Sequence, residues 1–111
     1  MRAIDIYREA TVLCGGELNG EYVLGEENVD KLFFVNRALM DLRRVRIYEM
    51  TADIIANEKT IDAIICGVAY YIAVKYCRHE TAAFLSELYN SKRAIALSNV
   101  SRVKNSPFYK V

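Results

Sequence analysis

The sequence predicts a mainly α-helical protein: a small four-helix bundle with a short β-hairpin or extended loop after the first helix and an extended C-terminal tail. Three observations predict this class. Apolar residues recur at helical spacing over residues 4–14, 29–42, 61–77 and 80–97. Turn-forming glycines separate the first two segments, and the only proline lies near the C-terminus. Residues 1–97 should therefore form the helical body and residues 98–111 the tail.

The first helix is predicted to end at a glycine pair. Gly15 and Gly16 suit a helix C-terminus, because glycine accepts the left-handed backbone conformation that a helix cap needs. The turn signal Asn19-Gly20 follows, and then the short apolar run 22–24. This order is typical of a small hairpin or an extended loop.

The second helix is predicted to be amphipathic. Its core-facing stripe consists of Val29, Leu32, Phe33, Asn36, Leu39 and Met40. In the region that follows, up to residue 59, Val45, Ile47 and Tyr48 could form a short strand, or Tyr48 to Ile55 a helical turn. We predict an irregular connection with some local helix. Thr60 is the predicted N-cap of the third helix. The last helix aligns Phe84, Leu88, Ser91 and Ile95.

The third helix contains the stretch AIICGVAYYIAVKYC, which is apolar on every face. Its uninterrupted apolar run, residues 63–74, is 12 residues long, and a bilayer requires ~20. A membrane span is therefore excluded. Three short neighbouring helices should leave part of this helix uncovered, so a second copy of the chain is expected to cover the rest. Gly67, Ala69 and Ala73 would allow a close helix approach, and Tyr70 would form an aromatic rim.

The charges are unevenly distributed along the chain. The 111 residues are 53% apolar and 26% charged, with a net charge of +1, as expected for a globular domain that does not coat nucleic acid by bulk charge. Residues 1–62 contain 8 basic and 12 acidic residues, whereas residues 63–111 contain 7 and 2. This polarity favours head-to-tail contact between copies or docking on a charged partner. Faces that segregate by chance are the alternative.

No catalytic or cofactor motif is present in the sequence. Cys14, Cys66, Cys77 and His79 lack the spacing of a compact zinc ligand pair, so we interpret the cysteines as reduced thiols in a cytosolic protein without a secretory signal. No oxyanion hole or orienting third group accompanies a Cys-His pair. The chain is therefore not expected to be an enzyme or to bind a metal or another cofactor.

Several segments resemble the small head–tail connector, or adaptor, proteins of tailed bacteriophages and prophages. The stretch GVAYYIAVKYCRHETAAFLSELYNSKRAIA is similar to the last two helices of that family, with its "GVA–LLA" helix and "YN-KR" ending. IDIYREATVLCG and VNRALMDL are similar to the family's "YNEAL" and "INRALxDL" helices. These segments cover about two thirds of the chain in the expected order. Residues 43–59 depart from the family pattern.

The resemblance implies a structural virion protein at the head–tail interface, assembled in the host cytoplasm. Members of the family form a ring, usually of twelve copies, beneath the portal. The ring extends the channel through which genomic DNA passes without sequence-specific binding. It also joins the portal to a neck, stopper or tail-completion protein, and it needs no membrane. A small helical DNA-binding regulator and a chaperone-like adaptor are the alternative functions.

The expected interaction residues fall into three sets. Residues for subunit packing are Gly67, Ala69, Tyr70, Ala73, Phe84 and Tyr89. Residues for docking the tail on the portal, unless the C-terminus is merely frayed, are Val100, Arg102, Val103, Lys104, Phe108, Tyr109 and Lys110. Residues that would face the channel or the neck are Glu17, Glu21, Glu26, Arg43, Arg44 and Arg46. These acids could also be solvent-exposed without a role, and the arginines could contact phosphates or pair with Glu49 or Asp53.

Overall fold

The computed structural model describes residues 1–14, 28–76 and 78–104. Four helices follow in chain order, and they are α1 (Ala3–Leu13), α2 (Asn28–Asp41), α3 (Glu58–Lys75) and α4 (His79–Lys104). Within the described residues there is no strand, and the extended backbone contributes one isolated antiparallel bridge between Arg2 and Asp53. The predicted mainly helical fold with four helices is therefore confirmed.

The two non-helical features predicted at the ends of helices have different outcomes. The predicted hairpin or loop, residues 17–27, lies outside the described residues. The predicted extended tail from residue 98 is not confirmed, and α4 continues as a helix to Lys104. Residues 98–104 contain neither glycine nor proline, so nothing in the sequence stops the helix there. The remainder of the predicted tail, residues 105–111, is outside the described residues.

Helix α3 is the centre of the bundle and packs against α1, α2 and α4. Its buried residues are Ala63, Ile64, Cys66, Gly67, Val68, Ala69, Ile72 and Ala73. The chain therefore buries most of the apolar run itself, while α3 as a whole is enclosed only partly, as predicted. In the run, Val74 is 49% exposed, and Ile65, Tyr70 and Tyr71 are half-buried.

The ends of α3 and α2 are capped in ways the sequence pattern did not indicate. Asn57, rather than Thr60, is the N-cap of α3, and its side-chain oxygen accepts a hydrogen bond from the Thr60 N–H at 2.8 Å. At the C-terminus of α2, Arg43 has φ of 61°. The Arg44 N–H donates to the Leu39 carbonyl, the bond of a Schellman cap with arginine in the position that usually holds glycine.

The connection between α2 and α3 is irregular, as predicted, but it contains no helix, contrary to the expected helical turn from Tyr48 to Ile55. It pairs with the N-terminus instead. The Ala3 N–H donates to the Ala52 carbonyl at 2.9 Å, and the Ile54 N–H donates to the Met1 carbonyl at 2.8 Å. Ile54 is 5% exposed, so the connection also contributes to the core. These bonds hold the connection against the bundle.

The apolar stripes predicted for α2 and α4 are rotated relative to the buried faces. Phe33 and Met40 of α2 are 61% and 65% exposed, and Phe84 of α4 is 64% exposed. Leu39 is buried as predicted, and the residues that are buried in place of the exposed ones are Phe34, Val35, Ala38, Leu85, Tyr89 and Ala96. Both helices have apolar residues on adjacent faces, and each residue step turns a helix by about 100°, so the spacing alone fits more than one orientation.

Candidate functional site

One carboxylate joins three helices of the bundle. Asp41, at the end of α2, accepts hydrogen bonds from the hydroxyls of Tyr71 on α3 and Tyr89 on α4. The Tyr89 bond is 2.7 Å long. A partly buried hydrogen bond contributes about 1 kcal/mol net, so the two bonds of this cluster help to fix the relative positions of α2, α3 and α4.

Gly67 is the reason that Tyr89 can reach Asp41. A Cβ atom at position 67 would lie 2.7 Å from Cε1 of Tyr89 and 3.1 Å from Cβ of Ala38. The tyrosine ring therefore crosses α3 directly over the glycine backbone. Gly67 does permit the close helix approach that its sequence context predicted, but the helices that approach belong to the same chain.

Aromatic rings and two arginines surround this carboxylate. Tyr70 stacks on Tyr89 with ring centroids 6.2 Å apart. The Arg37 guanidinium lies 5.4 Å from the centroid of Tyr71, and that of Arg93 lies 5.8 Å from the centroid of Tyr89.

The two tyrosine hydroxyls of the cluster act as hydrogen-bond donors that hold the helices together. Burial raises the pKa of Tyr89 and that of Tyr71, and the hydrogen bonds to Asp41 raise both further. Both hydroxyls therefore remain protonated donors at neutral pH. The arrangement stabilises the packing of the helices and supplies no activated nucleophile.

A second region, which we name the α2 surface, consists of exposed side chains around one face of α2. Its apolar members are Phe33, Met40, Tyr48 and Val74, and its basic members are Arg37, Arg46 and Lys75. Two adjoining grooves run along it, one between α2 and the connection and the other between α2 and α3, and Phe33 and Arg37 line both. Tyr48 is 78% exposed. A cluster of exposed apolar residues with a basic rim is typical of a protein-binding surface.

The residues expected at a subunit seam are mostly inside the chain. Gly67, Ala69, Ala73 and Tyr89 are buried by the chain's own helices. These four residues are covered within the chain, which removes the argument that they pack against a neighbouring subunit. Of the other two residues in that set, Tyr70 is half-buried and Phe84 is exposed.

The three arginines after α2 are exposed, but they do not form the predicted ion pairs. Arg44 donates to the Ile55 carbonyl at 2.7 Å, and the Arg46 guanidinium lies 5.6 Å from the centroid of Tyr48. Asp53 pairs with the N-terminal ammonium of Met1 at 2.9 Å. In the described part of the chain, no ion pair connects Arg43, Arg44 or Arg46 to Glu49 or Asp53.

The remaining predicted site residues lie near or beyond the limits of the described chain. Val100, Arg102, Val103 and Lys104 belong to the last turns of α4. The residues outside the described part are Glu17, Glu21, Glu26, Phe108, Tyr109 and Lys110.

The cysteines that the structure describes are buried and reduced. Cys14 and Cys66 form no disulfide, and the Cys14 thiol donates to the Ala69 carbonyl at 3.1 Å. Burial raises the pKa of Cys14 to about 11 and also raises that of Cys66, so both thiols stay protonated at neutral pH. Cys77 is outside the described residues. Over residues 1–14, 28–76 and 78–104, no group of His, Cys, Asp and Glu side chains could hold a metal ion.

Sequence reasoning missed both the Asp41 cluster and the α2 surface. The only signal for the cluster was an acidic residue at the end of an apolar helix, together with tyrosines on two other helices, and the pattern does not show that they meet.

None of the described helices is long and apolar enough to cross a bilayer. The chain matches no protein-family model, no curated protein sequence and no solved structure.

Proposed function

We propose that this chain is a structural virion protein, a head–tail connector that assembles as a ring under the portal of a tailed phage or a phage-derived particle. The ring extends the DNA channel and joins the capsid to the neck or tail. The order of the four helical segments, which resembles that of the connector family, supports the proposal.

The observation that carries the proposal is the α2 surface. A chain that uses its most apolar helix to build its own core, and still exposes Phe33, Met40 and Tyr48, has apolar surface left for another protein. Monomeric soluble proteins rarely expose large contiguous apolar patches. The aromatic and arginine side chains on this surface are the types that contribute most to protein–protein contacts. A chain that assembles is therefore favoured over a solitary one.

The Asp41 cluster suits this role, because a ring under load needs a rigid subunit. Three helices are tied to one carboxylate, with Tyr89 bound over Gly67. The C-terminal segment supplies the contact with the portal in this proposal. Its first part belongs to α4, which continues to Lys104, and its sequence ends with the aromatic pair Phe108 and Tyr109 followed by Lys110 and Val111.

The test is electron microscopy of the protein mixed with the portal protein encoded beside it. We expect a ring on the portal, and deletion of residues 99–111 should abolish binding while circular dichroism shows no loss of helix beyond residues 99–104 of α4. Phe108→Ala with Tyr109→Ala should weaken portal binding, whereas the matched variant Asn105→Ala should not. Absence of a neighbouring portal gene, or a portal that the full-length chain does not bind, would overturn the proposal.

DNA binding through the basic residues after α2 is the second candidate, because Arg43 is exposed and held in a left-handed conformation that arginine rarely adopts. This function predicts binding of the isolated chain to duplex DNA, with an affinity that falls steeply with salt. The connector predicts weak DNA binding. A titration of a short duplex at two salt concentrations distinguishes them.

A further inference from the structure

The bundle has a second apolar groove, which we name the α1 groove, on the side where α1 and α4 meet α3. Its lining residues are Glu9, Val12, Leu13, Asp62, Ile65, Cys66, Leu88 and Lys92. Val12 is 68% exposed and Leu13 is 41% exposed. An adjoining groove shares Glu9, Asp62 and Ile65 and adds Glu58. Like the α2 surface, the α1 groove thus combines accessible apolar side chains with charged ones.

The two surfaces have opposite charge. Glu9, Glu58 and Asp62 line the α1 groove and its extension, with Lys92 as a basic residue among them. The α2 surface contains Arg37, Arg46 and Lys75, and the Asp41 carboxylate that also lines it already accepts hydrogen bonds from two tyrosines. Three acids therefore match three bases, each set beside exposed apolar residues.

The surfaces also lie on opposite sides of the chain. Both are lined by α3, the α1 groove by Asp62, Ile65 and Cys66 and the α2 surface by Tyr71, Val74 and Lys75. At about 100° of rotation per residue, the centres of these two triplets are roughly 180° apart around the helix axis. One molecule can therefore bind a different neighbour with each surface.

We propose that the α2 surface of one copy of this chain binds the α1 groove of the next copy. This pairing deepens the proposed function, on which it rests, by naming the two surfaces of each subunit that meet in the ring. Phe33, Met40 and Val74 would pack against Val12, Leu13 and Ile65, while the basic rim faces Glu9 and Asp62. Contact between two different surfaces is heterologous, and such contacts produce closed rings or open filaments.

A second copy is the occupant that the charges favour. An α2 surface docked on another α2 surface would bring arginines and lysine together, and two α1 grooves would bring carboxylates together. Only the unlike pairing places opposite charges around both apolar centres. It also covers Phe33 and Val12 in the same contact.

The experiment is sedimentation equilibrium of the full-length chain at low and high salt, up to roughly millimolar concentration. We expect the unmodified chain to associate beyond a dimer and to dissociate partly at high salt. Arg37→Glu with Lys75→Glu, and separately Glu9→Lys with Asp62→Lys, should each weaken association about 100-fold or more. An equimolar mixture of these two variants should recover association, because the unmodified contact and the charge-swapped contact between the two variants both place opposite charges together.

The controls separate a broken contact from a broken fold. Arg43→Glu with Lys59→Glu, and Glu80→Lys with Glu87→Lys, change charge by the same amounts at exposed positions outside both surfaces and should associate normally. Phe33→Asp tests the α2 surface at an exposed side chain that has no hydrogen-bonding group. Circular dichroism and thermal unfolding check every variant.

Several results would overturn the pairing: a chain that stays monomeric, a closed dimer that does not grow, or reversals no more harmful than their controls. A mixture of the two variants that does not recover association would also overturn it. Portal binding is scored separately. Assembly through these surfaces without portal binding would support the pairing and overturn the connector function. Portal-bound rings that still form with the charge-reversal variants would support the connector function and overturn the pairing.

Discussion

Helices α3 and α2 differ in a way that reverses the expectation from their sequences. Helix α3 contains a 12-residue apolar run, yet its own chain buries most of it. Helix α2 has a conventional amphipathic pattern, yet Phe33 and Met40 are more than 60% exposed.

The difference teaches that the apolar content of a segment does not locate an interaction surface. A continuous apolar run marks the element that all others pack against. An apolar residue just beside the buried stripe of an amphipathic helix is the one left exposed.

The sharpest test of the comparison uses two adjacent phenylalanines of α2. Phe34 is 4% exposed and Phe33 is 61% exposed. Phe34→Ala should lower the free energy of unfolding by about 3–4 kcal/mol through lost burial and a cavity. Phe33→Ala, the matched control, should cost at most about 1 kcal/mol, mainly through its edge contact with Phe34. Urea unfolding of both variants measures the difference. Equal losses in the free energy of unfolding would contradict a buried Phe34 beside an exposed Phe33.

A substitution at the tightest point of α3 should have the next largest effect. In Gly67→Val the added atoms must displace Tyr89 from its position over the helix, and we expect a loss of about 2–3 kcal/mol in urea unfolding. Ala83→Val introduces the same side chain at an exposed position of α4 and should cost about 0.5 kcal/mol. A Gly67→Val chain as stable as this control would show that α3 is not tightly enclosed.

The buried thiol that contacts α3 should make the protein sensitive to alkali. The pKa of Cys14 is raised from 9.0 to about 11, so between these values the unfolded chain releases a proton that the folded chain retains. The free energy of unfolding should therefore be unaffected by this group below pH 9 and fall by about 2 kcal/mol as the pH approaches 11. The measurement is urea unfolding as a function of pH.

Cys14→Ser is the control for this pH dependence. Its hydroxyl can still donate to the Ala69 carbonyl and does not ionise in this range. The variant should show a shallower decline, with a residual fall above pH 10 from the tyrosines whose pKa is raised. A decline as steep as that of the unmodified chain would exclude Cys14 as the source.

The smallest expected effect concerns the cluster where α2 meets α3 and α4. Asp41→Ala leaves the hydroxyls of Tyr71 and Tyr89 without their acceptor and should cost about 1–2 kcal/mol. Tyr89→Phe removes one of these bonds and should cost about 1 kcal/mol. When Asp41→Ala and Tyr89→Phe are combined, the total loss should be smaller than the sum of the two single losses by at least about 0.5 kcal/mol. Strict additivity in urea unfolding would mean that the two residues do not interact.

Local signals predicted the helices better than they predicted the contacts between them. The boundaries of α1, α2 and α3 agree with the sequence prediction to within a few residues, because periodicity, glycines and polar caps act within one or two turns. The faces of α2 and α4 that are buried are rotated relative to the predicted apolar stripes, because apolar residues occupy adjacent faces of both helices. The N-cap was misplaced by three residues because both Asn57 and Thr60 are suitable capping residues.

The amino-acid sequence alone was enough to predict that this protein is mainly helical, that four helices make up its described part, and that its longest apolar run is only 12 residues long. Those properties depend on spacing and length along the chain. Only the tertiary structure decided that Gly67 admits Tyr89, that Asp41 joins three helices, and that Phe33 rather than Phe34 remains exposed. These outcomes depend on how residues far apart in sequence share a limited volume, because close packing assigns each side chain a place that local periodicity does not encode.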